Sequence, residues 1–373
     1  MSLKINIPFC IGATESPNNP EGLPSILDFE VEVNYLSGAI QQKLPSVTEH
    51  YLSKSYEIGL SLGTPSDDDK LGKPYVDDFI EYIRQLNIKN MDVLEIGCGT
   101  GYISRRMLDL GARVTSIEPG KGFEKSWQKY DLEVINDFFP TKKVSSKFDL
   151  IIFYTVFEHI ADVSAFLKNI KKHLDVDGQV ILSVPDCTDE LRVGDPSIFM
   201  HEHIHYFDAN SLRTVLEVNG FKANVKKSKF GRSIYVTAEI DEELKINNHF
   251  IRKEVSKSEE ILKDMERRLH EYSVFINNLF DQGSLGVYVP ARALNYLPLN
   301  RQMRFFDDAS YLLGKYFPPF CCPIESREQL MHNQPEILFI ASRTFGKKLK
   351  NELILNGYIG EILTLTEIDE ILS

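Results

Sequence analysis

Apolar and polar positions follow two different periods along the middle of this chain. Short apolar runs bounded by glycine, proline and polar residues predict strands, and the stretches between them carry apolar residues at helical spacing. A doubly wound parallel sheet with helices on both faces produces this alternation. The last two predicted strands lie close together and predict a terminal β-hairpin. The predicted strands are Val93–Ile96, Arg113–Ile117, Leu132–Ile135, Leu150–Phe153, Gln179–Val184, a run after Phe221, and Ser233–Ala238.

The same pattern predicts four parts of the chain. Prolines interrupt the first part before the amphipathic stretch Pro74–Leu86, which predicts an arm and entry helices rather than a domain. Near the carboxyl end, Leu285–Val289 and Ile337–Ala341 read as buried strands of a second α/β unit. The predicted parts are an amino-terminal arm (1–87), the main α/β domain (88–240), a linker helix (241–281) and a smaller α/β domain (282–373).

The first predicted strand runs into glycines at alternate positions, in the pattern E-x-G-x-G-x-G from Glu95 to Gly101. Glycine allows the backbone to approach a ligand closely. Tyr102 stands where a dinucleotide fingerprint has its third glycine, so the spacing differs from G-x-G-x-x-G. The second strand ends in Glu118, and an acidic side chain at this position can accept both hydroxyls of a ribose.

These residues together resemble the class I S-adenosylmethionine (SAM)-dependent methyltransferases. The resemblance implies a Rossmann-like seven-stranded sheet with a terminal hairpin, SAM as cofactor and S-adenosyl-L-homocysteine as its product. It also implies that the glycine loop passes beneath the methionine moiety and that Glu118 binds the ribose. The predicted cofactor-binding residues are Glu95, Gly97, Cys98, Gly99, Gly101, Tyr102, Glu118, Pro119, Asn136, Asp137, Tyr154, Thr155 and Tyr56.

A histidine cluster, His201-Glu202-His203-Ile204-His205-Tyr206-Phe207, is the other unusual segment. On a strand, His201, His203 and His205 would share one face, so a metal site is an open alternative. No further ligand set is recognisable nearby in the sequence, and we therefore predict no metal site. Packing beneath an insertion is the structural alternative. The Glu158-His159 pair after the fourth strand is interpreted as a helix start or loop support.

The segment is also similar to the E-H-x-x-Y-F segment of sugar C-methyltransferases, which act on nucleotide-linked keto-deoxysugars. That resemblance implies that Glu202 and His203 lie above the cofactor methyl group. Carbon methylation requires a base beside a carbonyl and stabilisation of the oxyanion. A neutral imidazole can accept a proton near neutral pH, so His203 is the candidate base. Glu202 is the candidate to orient it, and Tyr206 to donate to the enolate oxygen.

The resemblance extends into the carboxyl-terminal third, through the segments Gly286–Arg292, Asp307–Pro318 and Pro335–Ala341. In an acidic protein, a substrate diphosphate needs positively charged partners. The predicted substrate-binding residues are Arg292, Lys315 and His201. Relatives of this kind commonly begin with a cysteine-rich zinc module, whereas Cys10 is the only cysteine among the first ninety residues here.

Composition limits the partners and the compartment. A formal net charge of −12 argues against nucleic acid, so a small molecule, a nucleoside-diphosphate sugar, is the expected partner. The five cysteines form no C-x-x-C pair, and no apolar run reaches the length of a membrane span. The amino terminus lacks the apolar core of a signal peptide. We expect a cytoplasmic protein, a monomer or homodimer.

Three other functions stay open at the level of sequence. The first is O- or N-methylation of another small metabolite. The second is a non-catalytic module that binds SAM or a sugar nucleotide, and the third is an NAD-dependent dehydrogenase. The substrate, the methylated atom and the stereochemical outcome do not follow from the sequence.

Overall fold

A computed structural model describes residues 2–9, 12–58 and 72–372 of the chain. Within these residues the chain forms two compact units. The first unit comprises the described residues of Val31–Thr188 and Glu202–Glu260, together with Ser2. The second comprises those of Leu3–Glu30, Asp189–His201 and Ile261–Ser373.

The strands are numbered in chain order. They are β1 (Ser2–Pro8), β2 (Ile26–Val33), β3 (Ile40–Gln42), β4 (Asp92–Ile96), β5 (Arg113–Ile117), β6 (Val134–Ile135), β7 (Phe148–Tyr154), β8 (Leu174–Pro185), β9 (His205–Tyr206), β10 (Phe221–Lys227), β11 (Ser233–Ile240), β12 (Leu285–Tyr288), β13 (Arg304–Phe306), β14 (Ile324–Glu325), β15 (Ile337–Ile340) and β16 (Glu361–Thr364).

The α-helices lie between these strands and after the last of them. They are α1 (Ser46–Glu57), α2 (Lys73–Arg84), α3 (Tyr102–Asp109), α4 (Glu124–Tyr130), α5 (Val163–His173), α6 (Thr188–Val193), α7 (Ala209–Val218), α8 (Asn248–Leu279), α9 (Arg327–His332), α10 (Gly346–Leu355) and α11 (Leu365–Ile371). Among the described residues, no helix combines the length and the apolar character needed to cross a membrane.

A seven-stranded sheet forms the centre of the first unit, in the order β10-β11-β8-β7-β4-β5-β6. Strand β11 pairs antiparallel with β8 and with β10, and the other neighbours pair in parallel. The predicted α/β fold and its terminal hairpin are therefore confirmed. Buried apolar residues such as Leu94, Ile151 and Leu182 fill the space between sheet and helices. The carboxyl ends of β4, β5 and β7 lie side by side, which is where ligands bind in open α/β sheets.

The second unit contains a five-stranded parallel sheet in the order β14-β13-β12-β15-β16. Its central strands β12 and β15 are buried along their whole length, as the continuous apolar runs predicted. The predicted additional α/β region is thus confirmed.

The amino-terminal part differs from its prediction. Strands β1, β2 and β3 lie in the region expected to form only an arm and helices. From Phe29 onwards, strand β2 alternates buried with partly buried positions, and its buried side chains are Phe29, Val31 and Val33. The prolines that suggested an irregular segment lie at the end of β1 and between β1 and β2, so they separate strands rather than prevent them. The boundaries predicted at residues 87, 240 and 281 stay predictions.

The predicted histidine strand is also different. Only His205 and Tyr206 are extended, as β9, which pairs antiparallel with β3. His201 and Glu202 lie in a turn, at the point where the chain passes from the second unit to the first. Asp208 then caps the amino terminus of α7, because its side chain accepts hydrogen bonds from the amides of Asn210 and Ser211.

Candidate active site

The glycine loop between β4 and α3 adopts backbone conformations that favour glycine. Gly97 has φ +73° and Gly101 has φ +81°. A Cβ atom on Gly97 would lie 2.5 Å from Cγ2 of Val156, and one on Gly101 would lie 2.3 Å from Cδ1 of Leu132. Both the backbone angle and the close packing thus explain why these positions are glycine.

Glu118 fastens this loop to the end of β5. Its Oε2 atom accepts a hydrogen bond of 2.7 Å from the Gly99 amide, and its Oε1 accepts one of 2.6 Å from the Gly120 amide. The side chain is 9% exposed, and burial raises the pKa of its carboxyl group although both amides favour the charged form. Trp127 makes a third hydrogen bond to this region, because its Nε1 donates to the Gly99 carbonyl at 2.8 Å.

Asn136 and Asp137, two of the predicted cofactor-binding residues, support the neighbouring turn. Asn136 Nδ2 donates to the carbonyl of Glu118 at 2.7 Å. Asp137 accepts from Thr141 Oγ1 at 2.7 Å and from the Phe138 amide at 2.9 Å, and the Thr141 hydrogen bond lowers its pKa. Neither residue lines the cavity described next, because these hydrogen bonds turn their polar atoms towards the protein.

A cavity of about 570 Å³ opens at the carboxyl ends of β4, β5 and β7. It has the size of a typical small-molecule or cofactor site. The predicted site residues that line it are Tyr56, Glu95, Gly97, Cys98, Gly99, Tyr102, Glu118, Pro119, Tyr154, Thr155, Glu202 and His203. The predicted residues of the first unit that do not line it are Gly101, Asn136, Asp137 and Tyr206.

These residues fit SAM. The glycine backbones leave room for a ligand at one end of the cavity, and Glu118 provides a carboxylate for ribose hydroxyls. Sequence reasoning missed Phe123, Phe138 and Phe139, whose aromatic side chains also line the cavity. The signal was present, because Phe138 and Phe139 follow the short strand β6 (Val134–Ile135) within four residues. Aromatic side chains can pack against a purine ring.

Deep in the cavity, Glu95 is buried beneath the loop. Ser104 Oγ donates to one of its carboxylate oxygens and lies 2.7 Å from Ser116 Oγ. Burial raises the pKa of Glu95 to about 8. Cys98 is also buried, and burial raises the pKa of its thiol well above the usual range. Its thiol is therefore neutral at physiological pH.

At the other end of the cavity, a short 3₁₀ helix (Phe157–His159) follows β7. Glu158 is 1% exposed, and neither of its carboxylate oxygens has a hydrogen-bond partner among the described residues. Burial raises its pKa to about 7, although the nearby His159 acts in the opposite direction. His159 Nδ1 donates to the Glu202 carbonyl at 2.8 Å. The pair thus lies in a short helix and supports the histidine segment, as the sequence suggested, and both residues also line the cavity.

The predicted catalytic pair joins this end of the cavity. The Glu202 carboxylate accepts a hydrogen bond of 2.8 Å from the Tyr56 hydroxyl, and burial, together with this nearby carboxylate, raises the pKa of that phenol. The His203 ring stands edge-on to the His159 ring, with 4.9 Å between centroids. The next amide, of Ile204, donates to the Glu158 carbonyl at 2.7 Å. Helix α1, the 3₁₀ helix and the histidine segment therefore meet here.

Tyr206 does not have the place predicted for it. The side chain is completely buried, and its hydroxyl donates to the His203 carbonyl at 3.0 Å. Because that hydrogen bond turns the phenol into the protein, Tyr206 supports the backbone of His203 instead of facing a substrate. The prediction that it donates to an enolate oxygen is corrected accordingly.

The three alternate histidines do not share a face. His201 belongs to the second unit, where its ring packs against Phe9 and Phe29. Burial lowers the pKa of His201 to about 4, and likewise that of His205, whose Nε2 donates to the Ile160 carbonyl at 2.9 Å. Both are buried neutral rings, so the predicted substrate contact of His201 is corrected. Among the described residues these three histidines do not form a group with ligand atoms close enough to share a metal ion, so the metal alternative built on all three fails.

Arg292 and Lys315 lie in the second unit. Arg292 ends the 3₁₀ helix Pro290–Arg292, and its carbonyl accepts from the Tyr296 hydroxyl at 3.1 Å. Lys315 Nζ lies 3.4 Å from the Glu15 carboxylate, which is an exposed pair of the kind that contributes little stability. Their role towards a substrate stays a prediction.

Comparison with known proteins identifies the first unit. Residues 70–226 match a family model described as a methyltransferase domain. A ubiquinone biosynthesis O-methyltransferase of Pelagibacter ubique is 32% identical over 104 residues, covering 26% of this chain and 42% of that protein. A tRNA U34 carboxymethyltransferase of Nautilia profundicola is 31% identical over 110 residues, covering 26% of this chain and 35% of that protein. The chain therefore spans less than half the length of these curated relatives.

Solved structures resemble the chain at lower identity. A complex titled DhpI-SAM-HEP is 18% identical and covers 52% of this chain and 94% of its own, with a TM-score of 0.39. A Burkholderia thailandensis 1,6-didemethyltoxoflavin-N1-methyltransferase with bound S-adenosylhomocysteine is 14% identical and covers 54% of this chain and 96% of its own, with a TM-score of 0.40.

The matched residues carry the glycine loop, Glu118 and the cavity, and the family and the curated relatives are methyltransferases. This decides against the NAD-dependent dehydrogenase that the sequence left open. Residues 70–226 therefore contain a SAM-dependent methyltransferase domain, an enzyme domain whose methyl donor is S-adenosyl-L-methionine.

Proposed function

We propose that this protein transfers a methyl group from SAM to a carbon atom of a nucleotide-linked keto-deoxysugar, with His203 as the general base. The observation that carries the proposal is the position of His203. Its side chain lines the same cavity as the glycine loop and Glu118, at the end away from the ribose carboxylate. A base placed there faces an acceptor bound next to the cofactor.

Bound SAM supplies an electrophilic methyl group on a sulfonium. The acceptor carbon must become a nucleophile, which requires removal of a proton beside a carbonyl. His203 takes that proton as a neutral imidazole, and the charge that results lies near the carboxylate of Glu158, which has an oxygen within 4.8 Å of a His203 ring nitrogen. Opposite charges close to an imidazolium favour it in a cavity shielded from water. General-base catalysis of this kind contributes on the order of 10² to 10⁴ in rate.

Glu202 and Tyr56 hold the base in place. The Tyr56 hydroxyl fixes the Glu202 carboxylate, and the Glu202 carbonyl fixes the His159 ring. Because His203 follows Glu202 directly and packs against that ring, both hydrogen bonds restrict where the base can lie. Tyr56, on α1, also lines the cavity, and its side chain excludes water from the space that it occupies.

Arg292 and Lys315 are the proposed partners of the substrate diphosphate, on the strength of their charge and of the resemblance of their segments. The curated relatives that methylate oxygen match only about a quarter of this chain. Their acceptors therefore bear little on the acceptor of this protein. O- or N-methylation of another metabolite is the second candidate function, and a non-catalytic binding module is the third.

Product analysis separates these functions. The full chain is incubated with SAM carrying a ¹³C methyl group and a panel of nucleoside-diphosphate keto-deoxysugars, and NMR locates the label. A methyl group attached to carbon supports the proposal. A label on oxygen or nitrogen replaces it with the second function, and SAM binding without turnover on any acceptor favours the third.

The role of His203 is tested in the same assay. His203→Asn should lower turnover by about 10² to 10⁴ while calorimetry shows unchanged SAM affinity. The matched control is His50→Asn, because His50 is an exposed histidine on α1 of the same unit. Turnover of His203→Asn equal to that of the control would remove His203 as the base.

A further inference from the structure

We propose that Glu158, His159 and His203 form a binding site for a divalent transition-metal ion inside the cavity. One potential ligand atom from each of these side chains lies within 4.8 Å of the other two. The trio is a different one from the three alternate histidines considered in the sequence. It comes from two segments, the 3₁₀ helix after β7 and the residues before β9, which the fold brings together.

The state of Glu158 is the second, independent observation. Its carboxylate is 1% exposed, and both oxygens lack a hydrogen-bond partner among the described residues. Burying a carboxylate is costly unless it is paired or coordinates a metal. His159 Nε2 lies 3.9 Å from Glu158 Oε1, which is beyond hydrogen-bonding distance. A cation bound between the two side chains would complete the coordination of this carboxylate.

The His159 ring is arranged like that of a metal ligand. Its Nδ1 donates to the Glu202 carbonyl at 2.8 Å, and a carbonyl can only accept. The neutral ring therefore carries its lone pair on Nε2, the atom that faces Glu158. Metal-binding histidines usually donate their second ring nitrogen to a carbonyl or carboxylate in this way. The Ile204 amide, which donates to the Glu158 carbonyl, holds the two segments of the site against each other.

The donor set determines the class of ion. Two imidazole nitrogens and one carboxylate oxygen suit Zn²⁺, Co²⁺, Ni²⁺ or Fe²⁺, whereas Mg²⁺ and Ca²⁺ prefer oxygen ligands alone. Zinc–ligand bonds of roughly 2.0–2.2 Å require the three atoms to approach one another by about 1 Å, which side-chain rotation can supply. Three protein ligands would leave a fourth position open for water or another ligand, and all three residues line the cavity.

The site has a consequence for the proposed function, and this part rests on that proposal. An imidazole that coordinates a metal through its lone pair cannot accept a proton through the same nitrogen. Metal bound to His203 and proton removal by His203 are thus mutually exclusive. We expect Zn²⁺ to inhibit turnover by occupying the base.

Binding is tested with metal alone. The EDTA-treated, dialysed full chain, with Cys10 and Cys321 replaced by serine to exclude thiolate ligands, is titrated with Co²⁺ and followed by visible absorption. Calorimetry with Zn²⁺ gives the stoichiometry and affinity. We expect one ion per chain and a visible spectrum typical of a four-coordinate site with nitrogen and oxygen ligands.

Variants show where the ion binds. His159→Asn and Glu158→Gln should each weaken Zn²⁺ binding at least tenfold, since even the outer partners of metal ligands are worth about 10- to 100-fold. His50→Asn is the matched control and should bind as the parent does. SAM affinity, measured for every variant, shows that the fold is retained. If Glu158→Gln fails to fold, His159→Asn and His203→Asn decide the question.

Each outcome has one meaning for the site. Absence of Co²⁺ and Zn²⁺ binding, or equal binding by the parent and both histidine variants, overturns it. One-to-one binding that these variants lose supports it. The activity assay then tests the other proposal separately: zinc that binds without inhibiting, or that is required for turnover, supports the site and removes His203 as the base.

Discussion

Replacing Glu118 by glutamine tests how the cofactor loop is held. The carboxylate accepts one hydrogen bond from the Gly99 amide and one from the Gly120 amide, through different oxygens. An amide side chain of the same size has a single oxygen, so its NH₂ group must face one of these two donors. One charge-assisted hydrogen bond is lost, and a buried donor is left without an acceptor.

The size of the effect follows from those contacts. A hydrogen bond to a charged group contributes about 1.5–3 kcal/mol. If SAM binds only when the loop is in place, Glu118→Gln should raise the SAM dissociation constant by roughly 10- to 150-fold. Calorimetry measures it directly. The thermal midpoint without ligand should fall as well, because the loop hydrogen bonds belong to the protein itself.

Glu124, six residues after Glu118, provides a matched control. Glu124 accepts a hydrogen bond from the Gly122 amide at 3.1 Å, but its side chain is exposed and does not line the cavity. Glu124→Gln should leave SAM affinity and the midpoint unchanged. The reasoning is refuted if Glu118→Gln binds SAM within about threefold of the parent. If SAM affinity falls but the thermal midpoint does not, Glu118 acts on SAM binding through its contact with the ribose alone and not by holding the loop.

Two further predictions concern the same end of the cavity. Gly97→Ala and Gly122→Ala both place a side chain at positive φ, which destabilises the fold by about 1–2 kcal/mol. Only the new Cβ of Gly97→Ala meets another atom, Val156 Cγ2 at 2.5 Å, and this clash destabilises the fold by about 1–3 kcal/mol more. Gly97→Ala should therefore have the lower urea midpoint, and equal midpoints would contradict this. Burial raises the pKa of Glu95 to about 8, so between about pH 4.5 and 8 the folded chain keeps a proton that the unfolded chain releases. The free energy of unfolding should therefore fall by up to about 1.4 kcal/mol for each unit by which the pH rises in this range. Urea midpoints across that range should vary less with pH in Glu95→Gln than in the parent protein. An equal dependence of the midpoint on pH in both proteins would contradict a raised pKa of the buried Glu95 carboxyl group.

The cofactor end of the site was predictable because its signal is local. The spacing from Glu95 to Gly101 and the position of Glu118 after β5 are contained in a few residues each, and parallel strands place their carboxyl ends together. The strand alternation likewise predicted the sheet and its hairpin. Propensity and periodicity are sufficient where neighbouring residues in the chain determine the structure.

The other end of the site depends on contacts between distant segments. Nothing in the local sequence shows that Glu158 is buried without a partner, or that the Tyr56 hydroxyl reaches Glu202. The histidine segment was interpreted as one strand, but the chain changes units between His201 and Glu202, so alternation does not determine its faces. Strand β2 was not predicted, because the prolines before it indicated an irregular segment although its own residues alternate.

Proton exchange tests the central claim, that His203 creates the carbon nucleophile. The full chain with S-adenosyl-L-homocysteine in place of SAM, and with a keto-sugar nucleotide, is placed in D₂O and followed by NMR. We predict that the protein exchanges the proton on the acceptor carbon for deuterium and that His203→Asn does not, while His50→Asn exchanges normally. Absence of exchange in the parent protein, or equal exchange in His203→Asn, would contradict the account.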